Sequence, residues 1–231
     1  MNLWSLIMGS FNDVWEYGIF KKDRQLNLYP HNSVVSFLLK ERLERRRKMK
    51  VLEVGCGTGN NIWMAAREGY QVYGVDGSKS AIKIARDRFD HDLLTGKFSV
   101  GDISKLEFKD SYFDIVIDRA AIYCNHHSDI KKIISEISRV LKRGGKFLSM
   151  IYGDQHPASF YGEEVDKNTY GSFTGGYFKG MGTAYFLPAT EIDELYSPLE
   201  VTSVQRILEE KRDGVLFTPN NDYFIIEAQK V

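Results

Sequence analysis

The sequence predicts an α/β fold built on a mostly parallel, doubly wound sheet. From residue 51 onward, short apolar runs alternate with segments whose apolar residues recur at helical spacing. The first apolar run leads directly into a glycine-rich turn, "GCGTG", and a helix-compatible stretch follows that turn. Strands and helices that alternate in this way form a parallel sheet with helices on both faces.

The elements of this sheet follow one another along the chain. Strands are predicted over residues 51–54, 71–75, 97–100, 113–117 and 146–151, and helices over 61–68, 79–89 and 130–141. The last of these helices has a continuous apolar face, and Gly144-Gly145 is expected to end it. A helix over 32–47 precedes the sheet. The basic run at its end, 45–48, fits either a solvated last turn or a phosphate-binding patch.

The alternation stops after residue 151. Residues 152–188 are rich in glycine and aromatic residues, so we expect a functional insertion without regular structure, with Gly175-Gly176 in a mobile aromatic cap. A short helix follows over 190–195, with Thr190 and Asp193 spaced as a capping pair. Two final strands are predicted at the C-terminus, over 201–208 and 223–229. The polar connection between them contains no crossover helix, which favours an antiparallel pair.

Composition narrows the function classes. The 231 residues include 31 lysines and arginines and 31 aspartates and glutamates, a balance that disfavours a nucleic-acid binder. Two cysteines do not make a disulfide framework. No apolar run reaches the roughly 18 residues of a membrane span. The first ten residues lack the features of a secretory signal peptide, so we expect a cytoplasmic protein.

The strand ends carry the residues that point to a ligand. In "VLEVGCGTGNN", glycines at 55, 57 and 59 permit a tight turn and a close approach of a ligand to the backbone. A dinucleotide fingerprint would need its last glycine where Asn60 stands. The second strand ends in Asp76, which can accept two ribose hydroxyls. The third ends in "GDI", where Asp102 could read an adenine amino group while Ile103 packs on the ring.

Together with "VYGVDGS", "FDIVIDRAAIY" and "EISRVLKRGGKFLSMIY", these segments resemble the class I S-adenosylmethionine-dependent methyltransferases. The resemblance covers about residues 50–151 and the closing strand pair. It implies a Rossmann-like, seven-stranded sheet whose last strand is antiparallel, and S-adenosylmethionine as cofactor. The cofactor-binding residues that it implies, with a leading segment closing over the cofactor, are Glu53, Gly55, Cys56, Gly57, Gly59, Asn60, Asp76, Gly77, Ser78, Gly101, Asp102, Ile103, Asp118, Arg119 and Tyr17.

The charge of this cofactor agrees with these residues. It has no pyrophosphate, so the third fingerprint glycine is unnecessary. Its sulfonium and ammonium groups favour carboxylates such as Glu53, Asp76 and Asp118 as neighbours. We therefore expect one methyltransferase domain over 1–231. Its parts are an N-terminal cap and helix at 1–49, a cofactor-binding core at 50–151, a substrate-cap insertion at 152–188, and a closing helix and strand pair at 189–231.

The acceptor site is expected at the same edge of the sheet. Strand four ends in "DRAA" where DNA amino methylases carry an N/D-P-P-Y-type motif, so DNA methylation is not expected. Arg119 could hold an acidic group of the substrate or form a salt bridge with a neighbouring carboxylate. The candidate substrate residues are Tyr29, Arg119, Tyr123 and Tyr177, and Trp15, Tyr17 and Tyr29 are candidates for an N-terminal wall.

Strand five leads into "IYGDQHP", which supplies a candidate general base. We predict that His156, oriented by Asp154, removes the proton of a hydroxyl acceptor; the alternative is a loop histidine bonded to the backbone. His126-His127 is a second candidate. Adjacent histidines diverge and make a poor metal site, so no metal is expected.

The function favoured by the sequence is methyl transfer to an oxygen of a small polar metabolite, a sugar or a sugar-linked intermediate. The balanced charge and the aromatic insertion favour this class over methylation of a protein or RNA. Carboxyl methylation is a further alternative. Two further alternatives, a non-catalytic cofactor-binding module and a nicotinamide oxidoreductase, are less favoured by the sequence. No membrane partner is expected, nucleic acid is disfavoured, and the sequence does not indicate an oligomeric state.

Overall fold

The computed structural model describes residues 11–22 and 28–231. The first ten residues, on which the expectation about a signal peptide rests, lie outside the described residues. The main sheet has seven strands: β1 (Lys50–Val54), β2 (Gln71–Asp76), β3 (Gly96–Val100), β4 (Phe113–Arg119), β5 (Leu141–Tyr152), β9 (Glu200–Asp213) and β10 (Leu216–Gln229). A second, smaller sheet contains β6 (Glu163–Asp166), β7 (Thr169–Gly171) and β8 (Ala184–Tyr185).

The order of strands across the main sheet is β3-β2-β1-β4-β5-β10-β9. Strands β1 to β5 are parallel to their neighbours, and β10 is antiparallel to both β5 and β9. The predicted seven-stranded, mostly parallel sheet with an antiparallel last strand is confirmed. The strand order reverses between β1 and β4: β2 and β3 follow on one side, and β5 follows on the other. A crevice opens beyond the carboxyl ends of strands at such a reversal.

Helices bury both faces of this sheet. They are α1 (Asn32–Leu38), α2 (Leu43–Arg46), α3 (Asn60–Arg67), α4 (Lys79–His91), α5 (His127–Val140) and α6 (Ile192–Leu195). Five fully buried residues of α5 pack on one face together with α6 and the insertion, while α1, α3 and α4 pack on the other. Among the described residues, no helix combines the length and the apolar character needed to cross a bilayer.

The helix predicted over 32–47 is two helices separated by a turn. Its buried apolar side chains, Val34, Phe37 and Leu38, all lie in α1. Beyond them Leu39 and Leu43 are exposed, so no apolar stripe continues to hold one helix against the core. In the basic run, Arg46 is buried and pairs with Glu68, so this residue has a structural role.

Two predicted helix ends are wrong. Helix α5 ends at Val140 and the chain enters β5 immediately, so Gly144-Gly145 lies within a strand, where Gly144 has a φ of 73° at an irregularity of the ladder. Neither Thr190 nor Asp193 caps the helix near 190. A 3₁₀ turn at Ala189–Glu191 leads into α6 without a side-chain cap, because Pro188 and Glu191 occupy the two cap positions.

The insertion at 152–188 has more structure than the sequence predicted. It contains a 3₁₀ turn at Pro157–Tyr161 and the three strands of the small sheet. Four of its aromatic side chains are buried in the core cluster beside α5: Phe173, Phe178, Tyr185 and Phe186. Burial of aromatic side chains of this size stabilises the segment against the sheet, so it forms a packed wall.

The closing strand pair is also longer than expected. The connection predicted at 209–222 continues the antiparallel ladder up to Asp213 and resumes at Leu216, since an antiparallel pair needs only a short turn. Strand β5 pairs only with the part of β10 from Tyr223 to Gln229. The rest of the hairpin therefore extends past the carboxyl end of β5.

A buried ion pair within the hairpin is connected to the start of the insertion by hydrogen bonds to residues 154 and 155. Asp222 is fully buried and accepts hydrogen bonds from Arg206 at 2.7 Å and 2.9 Å and from the backbone N–H of Gln155 at 2.8 Å. The same guanidinium donates to the half-exposed Asp154 at 2.7 Å. The hairpin is thus held at the point where β5 leads into the insertion.

We expect Asp222→Ala to lower the free energy of unfolding by about 3–5 kcal/mol, because it leaves a partly buried guanidinium and a backbone donor without their acceptor. Asp154→Ala removes the other carboxylate from the same arginine and serves as the matched control. Its cost should stay below about 1 kcal/mol, since Asp154 is exposed to water. Urea denaturation measures both; equal losses for the two variants would contradict the assigned role of Asp222.

Candidate active site

The glycine-rich turn after β1 depends on left-handed backbone conformations. Gly55 has a φ of 63°, and a Cβ atom at this position would lie 2.2 Å from the Cβ of Ala121. Gly59 has a φ of 76° at the N-cap of α3. A side chain at Gly55 would therefore be strained and would collide with the turn after β4, so the glycine lets the two strand ends approach each other.

Beside this turn lies a cavity with about 600 Å³ of empty space, which we call the inner cavity. Its lining includes the predicted residues Gly55, Gly57, Asp76, Gly77, Gly101, Asp102 and Ile103. The other lining residues are Phe11, Asn12, Trp15, Phe20, Ala121, Cys124 and Asn125. The ends of three strands thus converge on one apolar cavity with a few polar groups, as in small-molecule sites.

Asp76 is the buried carboxylate of the inner cavity. Its Oδ2 accepts a hydrogen bond from the backbone N–H of Gly57 at 2.8 Å, and its Oδ1 accepts one from Ser78 at 2.8 Å. Burial raises the pKa of Asp76 to about 6, although the two N–H groups oppose the shift. Each carboxylate oxygen retains a second lone pair for a hydroxyl donor.

The N-terminal segment covers the inner cavity. A π-helical turn at Trp15–Ile19 places Trp15 in the lining, and Phe11 packs directly against Gly77. Glu16 accepts hydrogen bonds from the hydroxyls of Ser78 and Ser80 at 2.6 Å and 2.7 Å. The turn is therefore bonded to the start of α4, a contact between distant residues that no local pattern predicts.

A second space, the middle cleft, continues from the inner cavity with about 860 Å³. The two share Trp15, Phe20, Gly55 and Gly57. The remaining lining residues of the middle cleft are Glu53, Cys56, Thr58, Asn60, Asn61, Arg119, Ala120, Tyr123, Tyr152 and Tyr177. The predicted residues Glu53, Cys56, Asn60, Arg119, Tyr123 and Tyr177 therefore lie together in this cleft.

Glu53 is a buried acid with one unfilled oxygen. Its Oε1 accepts a hydrogen bond from Asn61 Nδ2 at 2.6 Å, whereas Oε2 is buried with no hydrogen-bond partner among the described residues. Burial raises the pKa of Glu53 to about 8, against the opposing effects of Asn61 and the charge of Arg119. A cation or a hydrogen-bond donor placed beside Oε2 would relieve this cost.

Asp118 supports the floor of the middle cleft from beneath. It is fully buried and accepts hydrogen bonds from the backbone N–H groups of Ala121 and Ile122 and from Ser149 Oγ at 2.8 Å. Burial raises its pKa to about 6. Ala120, with a φ of 55°, holds a conformation that is unfavourable for a non-glycine residue. Asp118 therefore fixes the strained turn that follows Arg119.

A third space, the outer cleft, adjoins the middle cleft at the ends of β4 and β5. It has about 460 Å³ and is lined by His31, Arg119, Ala120, Met150, Ile151, Tyr152, Glu209, Asn221 and Tyr223. The hairpin of β9 and β10 supplies the last three. Of these residues, only Arg119 was predicted from the sequence.

Some predicted site residues lie outside the three spaces. They include the N-cap residues of α3 and α4, Gly59 and Ser78, and the buried Asp118, which bonds to the turn after β4. Tyr17 is half-exposed beside Lys21, in a depression on the outer side of the N-terminal turn. Tyr29 is 75% exposed, and its backbone carbonyl accepts a hydrogen bond from Asn60. Tyr17 and Tyr29 therefore do not line the space in which a ligand would lie.

The predicted pair of His156 and Asp154 does not form. His156 is buried, stacks on Phe186 with ring centroids 5.4 Å apart, and accepts a hydrogen bond from the backbone N–H of Ala158 at 3.1 Å. Burial lowers its pKa to about 4. Asp154 bonds to Arg206. The geometry favours the alternative of a loop histidine bonded to the backbone. Of the second candidate pair, His126 faces Asp166 of the small sheet and His127 packs beside Tyr185.

Comparisons with known proteins agree with this geometry. A family model described as a methyltransferase domain matches residues 45–207. The chain belongs to this family of S-adenosylmethionine-dependent methyltransferases. It is 29% identical to demethylmenaquinone methyltransferase from Thermotoga maritima, over 68% of each chain. It is 35% identical to phosphoethanolamine N-methyltransferase 2 from Caenorhabditis elegans, over 51% of this chain and 26% of the relative.

A solved structure gives the same fold. An S-adenosylmethionine-dependent methyltransferase from Methanosarcina mazei superposes with a TM-score of 0.68 at 21% identity, covering 87% of this chain and 99% of that one. This likeness shows the fold. The enzyme class follows from the family model over residues 45–207, and with it the cofactor S-adenosylmethionine. The buried, unpartnered Oε2 of Glu53 fits the ammonium group of that cofactor, and the lining of the inner cavity fits its adenosine.

We expect the affinity for S-adenosylhomocysteine to depend on the ionisation of Glu53. With a pKa of about 8, the carboxyl is mostly protonated at pH 7 in the free protein, whereas an ammonium group favours the carboxylate. Binding below pH 8 then releases a proton, so affinity should rise by up to about tenfold per pH unit between roughly pH 6.5 and 8. Calorimetry on wild type and Glu53→Gln measures this slope; an equal slope in the variant would contradict the assignment.

Glu53→Gln should also make the free protein more stable at high pH. The folded-state pKa of Glu53 lies above its ordinary value of 4.5, so the unfolded chain binds fewer protons and stability falls as pH rises from about 4.5 to 8. Glu53→Gln removes this cost. Its melting temperature without ligand should therefore exceed that of wild type at pH 8 and approach it at pH 5.

Proposed function

We propose that the protein transfers the methyl group of S-adenosylmethionine to an oxygen of a small polar metabolite. The cofactor supplies an electrophilic methyl group. The observation that carries the proposal is the enclosure of the middle cleft, which lies between the N-terminal turn, the strand ends and Tyr177 of the insertion. A cleft bounded on these sides suits a metabolite or a single sugar unit better than a folded macromolecule.

The chain's own residues bind and orient the reactants in this proposal. Glu53 and Asp76 hold the cofactor, and Trp15 and Phe20 exclude water where the inner cavity meets the middle cleft. Burial raises the pKa of the Tyr123 and Tyr152 hydroxyls, so both are protonated at neutral pH and can donate hydrogen bonds to an acceptor oxygen. Methyl transfer is a displacement at carbon, for which positioning contributes most of the acceleration.

One observation favours carboxyl methylation as the second candidate. Apart from Glu53, which faces the cofactor in this proposal, the described lining of the middle cleft contains no carboxylate and no imidazole. An alcohol must lose its proton during transfer, whereas a carboxylate is already ionised at neutral pH. A cleft without a base therefore suits a carboxylate acceptor, whereas an alcohol acceptor would have to lose its proton to water or to the cofactor-facing Glu53.

The test is transfer of an isotope-labelled methyl group from the cofactor into a cell extract separated into small molecules, protein and RNA. We expect label in the small-molecule fraction with wild type. We expect little with Asp76→Ala, which should lose about 1.5–3 kcal/mol of cofactor binding per charge-assisted hydrogen bond. Base-labile label would indicate an ester, and base-stable label would exclude one. Label confined to protein or RNA would overturn the proposal.

A second variant separates the structural role of His156 from a catalytic one. We expect His156→Asn to lose about 2–4 kcal/mol of stability, because a large buried ring is replaced by a smaller side chain. The rate of methyl transfer per folded molecule should stay within about twofold of wild type, since His156 lines none of the three spaces. A loss of about 10²-fold or more in the folded variant would instead support the base role.

A further inference from the structure

The outer cleft has no part in the roles assigned so far. It shares Arg119, Ala120 and Tyr152 with the middle cleft, so a molecule whose reacting atom lies in the middle cleft can extend into it. Four segments build it: the residues before α1, the ends of β4 and β5, and the hairpin of β9 and β10. Such convergence of distant segments on one polar cleft is typical of a ligand subsite.

Arg119 stands where the two clefts meet. No hydrogen bond or ion pair holds its guanidinium among the residues of 11–22 and 28–231, whereas Arg46, Arg139 and Arg206 are all paired. Burial and the charge of Arg119 lower the pKa of His31, and the same charge opposes the burial that raises the pKa of Tyr223. Both residues line the outer cleft together with Arg119. The guanidinium is therefore available to a ligand there.

His31 presents a hydrogen-bond donor to the same cleft. Its Nδ1 accepts a hydrogen bond from the backbone N–H of Ser33 at 3.3 Å and so caps α1. A neutral imidazole that accepts at Nδ1 carries its proton at Nε2. Burial and the charge of Arg119 lower the pKa of His31, so the neutral form dominates at pH 7. The Nε2–H group is thus a fixed donor.

We propose that the outer cleft binds a non-reacting oxyanion of the methyl acceptor, a carboxylate or a phosphate, through Arg119 and His31. A guanidinium offers paired N–H donors that match the oxygens of either group, and the imidazole adds a third donor from another segment. This inference rests on the proposed function and names its substrate class: the acceptor is an acid, anchored in the outer cleft and methylated in the middle cleft.

The opposite rim of the cleft limits the charge of that ligand. Glu209 lies on β9 and accepts a hydrogen bond from Asn221 Nδ2 at 3.2 Å. With Arg119 as the cation, Glu209 as the anion and His31 neutral, the cleft has no net positive charge. A run of phosphates requires several cations, so this balance favours one oxyanion on a small molecule over a nucleic-acid backbone.

The competing occupant for Arg119 is the carboxylate of the cofactor, since Arg119 also lines the middle cleft. His31, Glu209 and Tyr223 line only the outer cleft. An anion held between Arg119 and His31 would therefore lie away from the inner cavity and should bind together with the cofactor product. If Arg119 instead binds the carboxylate of the cofactor, the anion and the cofactor product should exclude each other.

The probes are inorganic phosphate and acetate, each titrated at constant ionic strength and followed by NMR, with and without saturating S-adenosylhomocysteine. The variants are Arg119→Gln, His31→Asn, which keeps a capping oxygen for α1, and Arg143→Gln, an exposed arginine outside all three spaces, as the matched control. We expect saturable binding of at least one probe to the protein saturated with S-adenosylhomocysteine. Arg119→Gln should weaken it about tenfold or more, and His31→Asn by a smaller factor.

The outcomes separate the alternatives. Binding of phosphate alone supports a phosphate-bearing acceptor, and binding of acetate supports a carboxylic acid. Saturable binding that is unchanged in Arg119→Gln, or no saturable binding of either probe, overturns the inference while leaving the methyltransferase assignment intact. Probe binding that S-adenosylhomocysteine abolishes assigns Arg119 to the cofactor and also overturns it. Failure of wild type to bind S-adenosylhomocysteine would reject the proposed function itself.

Discussion

A single buried amide, Asn61, holds the cofactor side and the acceptor side of the site in register. Its Nδ2 donates to Glu53 Oε1 at 2.6 Å, and its Oδ1 accepts from the backbone N–H of His31 at 2.9 Å. The preceding residue, Asn60, donates to the carbonyl of Tyr29 at 3.0 Å. Because one side chain serves both partners, a movement of the chain before α1 would remove the contact that orients the amide bonded to Glu53.

Buried negative side chains and the positive Arg119 lie on different sides of this amide. Strands β1, β2 and β4 place buried carboxylates at Glu53, Asp76 and Asp118, and burial raises the pKa of each. Backbone N–H groups stabilise Asp76 and Asp118, whereas one oxygen of Glu53 has no donor. The inner side therefore favours a cation. The outer side presents Arg119, the neutral donor of His31 and, on its opposite rim, Glu209, a balance that suits the single oxyanion proposed there.

The cofactor side could be predicted from sequence because its signals are local. A strand, a glycine turn and an acid such as Asp76 lie within a few residues of one another, and a parallel sheet brings such strand ends to one edge. The acceptor side depends on contacts between distant residues. Arg206 removes Asp154 from the predicted pair across 52 residues. The cover of the inner cavity also depends on a distant contact, since Glu16 reaches Ser78 across 62 residues. No periodicity or spacing encodes such contacts, which is why the role predicted for His156 does not fit the geometry.

The end of β4 contributes to both the middle cleft and the outer cleft. Asp118 is buried and fixes the turn after β4 through Ala121 and Ile122, and Tyr196 donates to the Ser149 hydroxyl that bonds to it. That support holds Ala120 in its unfavourable left-handed conformation. Because the strained turn directly follows Arg119, the backbone that carries the guanidinium is fixed between the middle and outer clefts. A buried hydrogen-bond chain therefore fixes the backbone from which the guanidinium extends, and an acid bound to Arg119 would lie at the same edge of the sheet as the cofactor site.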